Sequence, residues 1–295
     1  MAAAPPERRP DGAARAAALM SAARRITALT GAGISTDSGI PDFRGPQGVW
    51  TKDPAAAAMS TIGAYISDPE VRRRAWRHRL AHPAWGAGPN RGHAALVELE
   101  RAGRLHGLVT QNIDGLHQAA GSDPALVLEI HGTMREAECL SCGLRTPMPE
   151  VLARVEAGEE DPPCPECGGI QKSATISFGQ ALRQDVLDAS VAAARSCDLM
   201  LAVGTSLTVH PAAGLCDEAV ENGARLVIVN AEPTPYDPMA DAIVRDPIGE
   251  ALPRLVAAAL ATPPRATPPG ATPPAGPSGG GPDARPGEAP DGPPG

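Results

Sequence analysis

The sequence predicts an α/β protein with a largely parallel sheet and a smaller second domain. Three observations predict it. Short apolar runs recur at 26–29, 105–109, 126–130, 199–203 and 226–229, with stretches of helical spacing such as 13–25, 92–101 and 184–195 between them, the alternation of βα units. A glycine-rich loop follows the first run at once. Two segments, 46–90 and 134–175, break the rhythm, and the second holds four of the six cysteines.

Taken in order, residues 1–12 read as a flexible N-terminus, 13–25 as a helix without a breaker, and 26–29 as a buried strand. The loop "GAGISTDSGIPDFRG", 31–45, then places Gly31-Ala32-Gly33 between a strand and an expected helix start, a geometry that aims backbone N–H groups at a phosphate. The dinucleotide fingerprint is incomplete, because Thr36 stands where the last glycine of G-x-G-x-x-G would be. A plain strand-to-helix turn therefore stays open on these residues alone.

Further along, "TQNIDGLH" sets Gln111, Asn112 and Asp114 directly after one strand, and "HG" sets His131 after the next. Imidazole titrates near neutral pH without help, so a histidine beside a nucleotide crevice is a candidate base. "GTS" puts Gly204, Thr205 and Ser206 at another strand end. The run 226–229 ends in Asn230, with Glu232 just beyond, about where a polar residue meets ribose hydroxyls in open α/β sheets.

"CLSC" and "CPEC" give Cys139, Cys142, Cys164 and Cys167, two Cys-x2-Cys knuckles 21 residues apart with prolines and glycines for tight turns. Four thiolates suit one tetrahedral Zn²⁺ and leave no open coordination position, so the ion is expected to be structural. Two disulfides or a redox pair are the alternatives, disfavoured in a reducing compartment. Cys197 and Cys216 read as small buried hydrophobes.

Composition sets outer bounds. A formal charge of −8 leaves no basic field for nucleic acid, and no window approaches the roughly 18 apolar residues of a membrane span. The N-terminus lacks a secretory apolar core, and Glu7, Asp11 and early prolines interrupt its likeness to a mitochondrial transit peptide. A cytoplasmic location is expected. The stretch 261–295 carries 12 of the 33 prolines and three ATPP repeats, and is expected to be a disordered tail.

In this order GAGIS, GIPDFR, TQNIDGLH, HG, the paired CxxC, FG, GTS and VN resemble the sirtuin family, the NAD-dependent protein lysine deacylases, over roughly 13–260. The resemblance implies a Rossmann-like domain (13–45, 91–133, 176–260) and a zinc-ribbon plus helical domain made of the insertions 46–90 and 134–175. NAD would lie between them, contacting Gly31, Ala32, Gly33 and Ser35. Asp42, Phe43 and Arg44 would close over the ribose, Gln111, Asn112, Ile113 and Asp114 would form the nicotinamide pocket, and Gly204, Thr205, Ser206, Asn230, Glu232 and Ile248 would take the adenosine half. Asn112 and Asp114 would share in catalysis, with His131 as general base. In the family mechanism the acyl oxygen of acyl-lysine attacks C1′ of the nicotinamide ribose and expels nicotinamide; the base then activates a ribose hydroxyl. Acyl-lysine proteins and NAD would be the partners, with no specific nucleic acid and no membrane.

Two departures bear on the substrate. The peptide-pairing strand reads "TISFGQ", keeping Ile176, Phe178 and Gly179 but with Gln180 in place of the family's acid. Members that favour succinyl or malonyl lysine carry Tyr-x-x-Arg in the helical insertion, where this chain offers Trp76 and Arg79; a solvated arginine-rich helix is the competing reading. Mono-ADP-ribosyl transfer and an NAD-sensing interaction module without turnover are the alternatives to deacylation. A hydride-transferring dehydrogenase is the weakest, since no ribose-binding acid follows the first loop on a second strand.

Overall fold

The structure, a computed structural model, describes residues 12–42 and 61–261. The expectations for Phe43, Arg44, residues 1–11 and the proline-rich stretch from 262 onward lie outside the described residues.

Six strands, β1 (Ile26–Thr30), β2 (Leu105–Thr110), β3 (Val127–Glu129), β7 (Leu199–Val203), β8 (Arg225–Val229) and β9 (Ala242–Val244), form one sheet in the order β3-β2-β1-β7-β8-β9. Every pairing in it is parallel. β1 and β7 are buried at every position, because helices cover both faces, and this is why they read as unbroken apolar runs rather than alternating ones. One face packs Ile26, Ala28, Leu108, Leu201 and Val227 against helices α1 (Gly12–Ala22), α4 (Arg91–Arg101) and α9 (Ile248–Ala261). Leu29, Val109, Met200, Ala202 and Ile228 point the other way, toward α7 (Gln184–Ser196) and α8 (Leu215–Glu221). The chain runs outward from β1 through β2 to β3 and returns to the far side of β1 as β7. The C-terminal ends of β1 and β7 thus flank a topological switch point, where open α/β sheets bind ligands.

Strands β4 (Gly132–Cys139), β5 (Arg145–Pro147) and β6 (Gln171–Thr175) form a separate antiparallel sheet in the order β5-β4-β6. Beside it lie α2 (Ile62–Ser67), α3 (Pro69–Leu80) and α6 (Met148–Glu156); a one-turn helix, α5 (Leu116–Ala120), precedes β3. Asp68 starts α3, accepting a hydrogen bond from Glu70 N with Pro69 in the first turn. The arginines of α3 reach the acidic turn after α6: Arg72 pairs with Asp161 at 2.7 Å, and Arg73 and Arg77 approach Glu160.

Trp76, a candidate acyl-site residue from the sequence, is fully buried among Ala137, Met148, Val151 and Leu152. Replacing it by alanine is expected to lower unfolding free energy by about 3–5 kcal/mol in a urea melt. Trp76→Phe should cost much less, since Nε1 has no hydrogen-bond partner among the described residues. An unchanged melt with altered acyl preference would instead return Trp76 to the substrate site.

The helix expected after β1 is a 3₁₀ helix (Ala32–Ser38). Gly31 N–H donates to Val203 O and Gly33 N–H to Gly204 O, so two of the N–H groups assigned to a phosphate are taken up by the neighbouring strand end. The glycines have a packing reason too. A Cβ on Gly33 would lie 2.7 Å from Gly204 Cα, and Gly204, at φ 61°, has its own missing Cβ aimed 2.4 Å from Ile34 N. The two loops touch backbone to backbone, and only glycine permits it.

Candidate active site

The site collects at the C-terminal ends of β1, β2, β3, β7 and β8. Gln111 N–H bonds Thr30 O, carrying the chain off β2 alongside the end of β1. This brings Asn112 and Asp114, both buried, beneath the 3₁₀ turn. Asn112 Nδ2 donates to Gly31 O and to Ser35 Oγ, each at 3.1 Å, and Ser35 Oγ donates to Asp114 Oδ2 at 2.7 Å. The other carboxylate oxygen, Oδ1, accepts Leu116 N–H at 2.9 Å, and Arg135 donates twice to the Asp114 carbonyl. Arg135 also lies over the Trp85 ring at 5.2 Å, which links this corner to the helical segment.

Gln111 points the other way, donating from Nε2 to Thr205 Oγ1 at 2.9 Å, and so bridges the ends of β2 and β7. His131 follows β3, half-buried, with Nδ1 3.2 Å from Gln111 O. A carbonyl only accepts, so Nδ1 carries the proton of the neutral ring and Nε2 keeps the basic lone pair. The ribbon grips this residue on both sides. Ile176 N–H donates to His131 O at 2.8 Å, and Gly132 opens β4 opposite Thr175. Gly132 has φ 73°, and a Cβ there would lie 2.1 Å from Ala174 O.

On the β7–β8 side Ser206 bonds Thr208, and Asn230 Nδ2 donates to Glu232 O at 2.8 Å; Glu232 is exposed. Ile248 begins α9 and packs against the core. The carboxylate of Asp37 lies beside Gly249, the next residue of α9. The donor set, amides and hydroxyls along one crevice at the switch point with one imidazole, suits a nucleotide.

Phe178 is 43% exposed next to this crevice, and Gly179 has φ 80°. The stretch 176–179 is not a full strand: β6 stops at Thr175, and a single parallel bridge joins Phe178 to Thr61, with Ile62 N–H on Phe178 O. Arg79 is half-buried, its guanidinium 5.4 Å from the Trp76 ring and its basicity lowered by burial.

Farther out, the Sγ atoms of Cys139, Cys142, Cys164 and Cys167 all lie within 4.8 Å of one another. The separations Cys139–Cys167 and Cys142–Cys164 are 3.5 and 3.7 Å. Zinc–sulfur bonds of about 2.3 Å in a tetrahedron put sulfurs about 3.8 Å apart, whereas a disulfide needs about 2.05 Å. The four cysteines fit one structural zinc, and the disulfide alternative is excluded by distance.

Sequence reasoning missed the residues behind the crevice. Asn90, which caps α4, reaches Ile34 O and Ser38 Oγ through Nδ2. Thr30, Thr110, His93 and His117 form a buried polar cluster beneath Asn112. Asn90-x-x-His93 has the spacing of a capping box, a signal that was present in the sequence.

A doubly wound nucleotide-binding sheet carrying a four-cysteine ribbon is the class that fold and site define. The Sir2 family model matches residues 31–211, and the chain belongs to that family, the sirtuins. It is 55% identical over 231 residues, 78% of this chain and 96% of the relative, to NAD-dependent protein deacetylase 2 of Streptomyces coelicolor. It is 41% identical to NAD-dependent protein deacylase 2 of Pyrobaculum aerophilum, covering 81% of this chain and 92% of that one. Among solved structures, a Sir2 protein with a p53 peptide and NAD⁺ superposes with a TM-score of 0.72 at 36% identity, over 81% of this chain and 95% of the other.

Proposed function

We propose that this protein removes acyl groups, acetyl foremost, from protein lysines with NAD as co-substrate, releasing nicotinamide and O-acyl-ADP-ribose. The observation that carries the reading is the proton inventory at His131. With Nδ1–H on Gln111 O, Nε2 can accept a proton from a ribose hydroxyl, and Asn112 and Asp114 are fixed close by in the β2–α5 turn. NAD supplies the activated C1′–nicotinamide bond.

Asn112 and Asp114 are held in a buried hydrogen-bonded corner that excludes water, so charge developing at the ribose meets oriented dipoles rather than solvent. Gly31, Ala32, Gly33 and Ser35 line the pyrophosphate side; Gly204, Thr205, Ser206, Asn230, Glu232 and Ile248 line the adenosine side. The acyl-lysine peptide lies along 176–179 beside Phe178, its backbone pairing with these residues. Among the described residues Arg79 is the candidate the sequence offers for an acidic acyl group. The cytoplasm, where NAD and acylated lysines meet, is the location that goes with this reading. Among the described residues no helix is long and apolar enough to cross a membrane.

The test is nicotinamide release with NAD and a panel of acetyl-, propionyl-, succinyl- and long-acyl-lysine peptides. Release matched by loss of one acyl group per nicotinamide, highest with acetyl, is expected. Release with ADP-ribose left on protein and no acyl lost would point to ADP-ribosyl transfer; no release with any peptide would leave a binding module.

A further inference from the structure

TQNIDGLH ends in His117, which has no part in the chemistry above and is 1% exposed. Its surroundings settle where its proton sits. Thr30 and Thr110 are the last residues of β1 and β2 and stand opposite each other in the parallel ladder. Thr30 Oγ1 donates its single proton to Thr110 Oγ1 at 2.8 Å, and Thr110 Oγ1 also accepts Asn112 N–H at 3.1 Å. His117 Nε2 lies 3.0 Å from Thr30 Oγ1. That hydroxyl has no second proton to give, so Nε2 must be the donor.

The neighbouring ring follows the same logic. His93 Nδ1 accepts Asn90 N–H at 3.3 Å, so a neutral His93 carries its proton on Nε2. The two rings meet edge to face with centroids 4.9 Å apart. His93 Nε2 and His117 Nδ1 are buried without a hydrogen-bond partner among the described residues, one a donor and the other an acceptor. Burial holds both rings neutral, pushing His117 down to about 3 and His93 to about 4, against a partial pull from Asp114 on His93. Asn90 thus donates to His93, and in the neighbouring relay His117 donates to Thr30 and Thr30 to Thr110, where Asn112 N–H also ends.

We propose that His117, locked as its Nε2–H tautomer, is a positioning residue that sets the Asn112 backbone through Thr30 and Thr110. A lone pair at Nε2 would draw the Thr30 proton away from Thr110 and loosen the acceptor that Asn112 N–H uses. The catalytic consequence rests on the proposed function. The tautomer does not, so the two readings can fail separately.

Two measurements test it on the full chain. ¹⁵N NMR of histidine-labelled protein should show His117 as a neutral Nε2–H ring that does not titrate between about pH 5 and 8. His117→Phe, which keeps the ring and removes the donor, should lower kcat for nicotinamide release about tenfold while KM for acyl-peptide stays within about twofold. His117→Gln, whose amide can place an N–H near the same point, should recover most of the loss. Thr30→Val and His117→Phe together should cost less than the sum of the two single losses, because both act on one network. An Nδ1–H or titrating His117, a Gln variant as poor as Phe, or additive losses would overturn the proposal. If the wild type releases no nicotinamide, the functional reading falls, and the NMR result alone decides the network.

Discussion

His131→Ala is expected to lower acyl-lysine turnover by ~10²–10⁴-fold, the range that a positioned general base contributes. Gln111 O holds Nδ1–H, and the β4–β6 pairing of Gly132 with Thr175 fixes the backbone on the far side. Removing the imidazole takes away Nε2 and the Nδ1–H bond to Gln111 O and leaves that backbone pairing in place. NAD affinity, measured by calorimetry, should change by less than about threefold, because Asn112, Ser35 and Asp114 keep their own hydrogen bonds. Exchange of labelled nicotinamide into NAD should suffer less than formation of deacylated peptide, since departure of nicotinamide precedes the step that needs the base. Equal loss of both would place His131 in binding the reacting ribose; unchanged turnover would remove it from the chemistry.

The strands that build the crevice were legible because burial on both faces makes them continuous apolar runs, and β1 and β7 carry no exposed position to blur the signal. β9, three residues long after a polar turn, carries too short a pattern to stand out. α9 was hidden for a different reason. It contains Pro253, which removes a helical N–H, and only the packing of Leu252, Leu255 and Val256 against the sheet shows why the helix persists. The site divides in the same way. Gln111, Asn112, Asp114 and His131 sit where a strand end meets a polar run, a local signal. Thr30, Thr110 and His117 depend on the register of β1 against β2, residues 80 or more positions apart, and no local pattern carries it. Trp76 shows the opposite error: an aromatic four residues into an arginine-rich stretch invites a ligand-binding reading, while the fold needs it to fill the small domain.

Cys164→Ser should cost the protein its zinc and, with it, the catalytic geometry. Cys164 is 3% exposed and lies 3.7 Å from Cys142; a neutral hydroxyl there cannot replace a thiolate, and structural zinc in small motifs accounts for about 10–16 kcal/mol of apparent binding free energy. The metal content should fall from one ion per chain to well below one by mass spectrometry. The six-stranded sheet has its own cores on both faces, so helical circular dichroism should largely remain while protease cleavage appears within 140–170. Activity should vanish although no cysteine touches the crevice. The link is β4, which runs from Gly132, next to His131, to the ligand Cys139 with a register shift in its pairing between Gly132 and Ala137, and β6, which ends at Thr175, next to the residue whose N–H holds the His131 carbonyl. Untying the knuckles frees both strands, and the imidazole loses the backbone frame that positions it. A variant that keeps full activity without zinc would show that the β4–β6 ladder stands on its own hydrogen bonds, and that the metal serves the ribbon's outer turns alone.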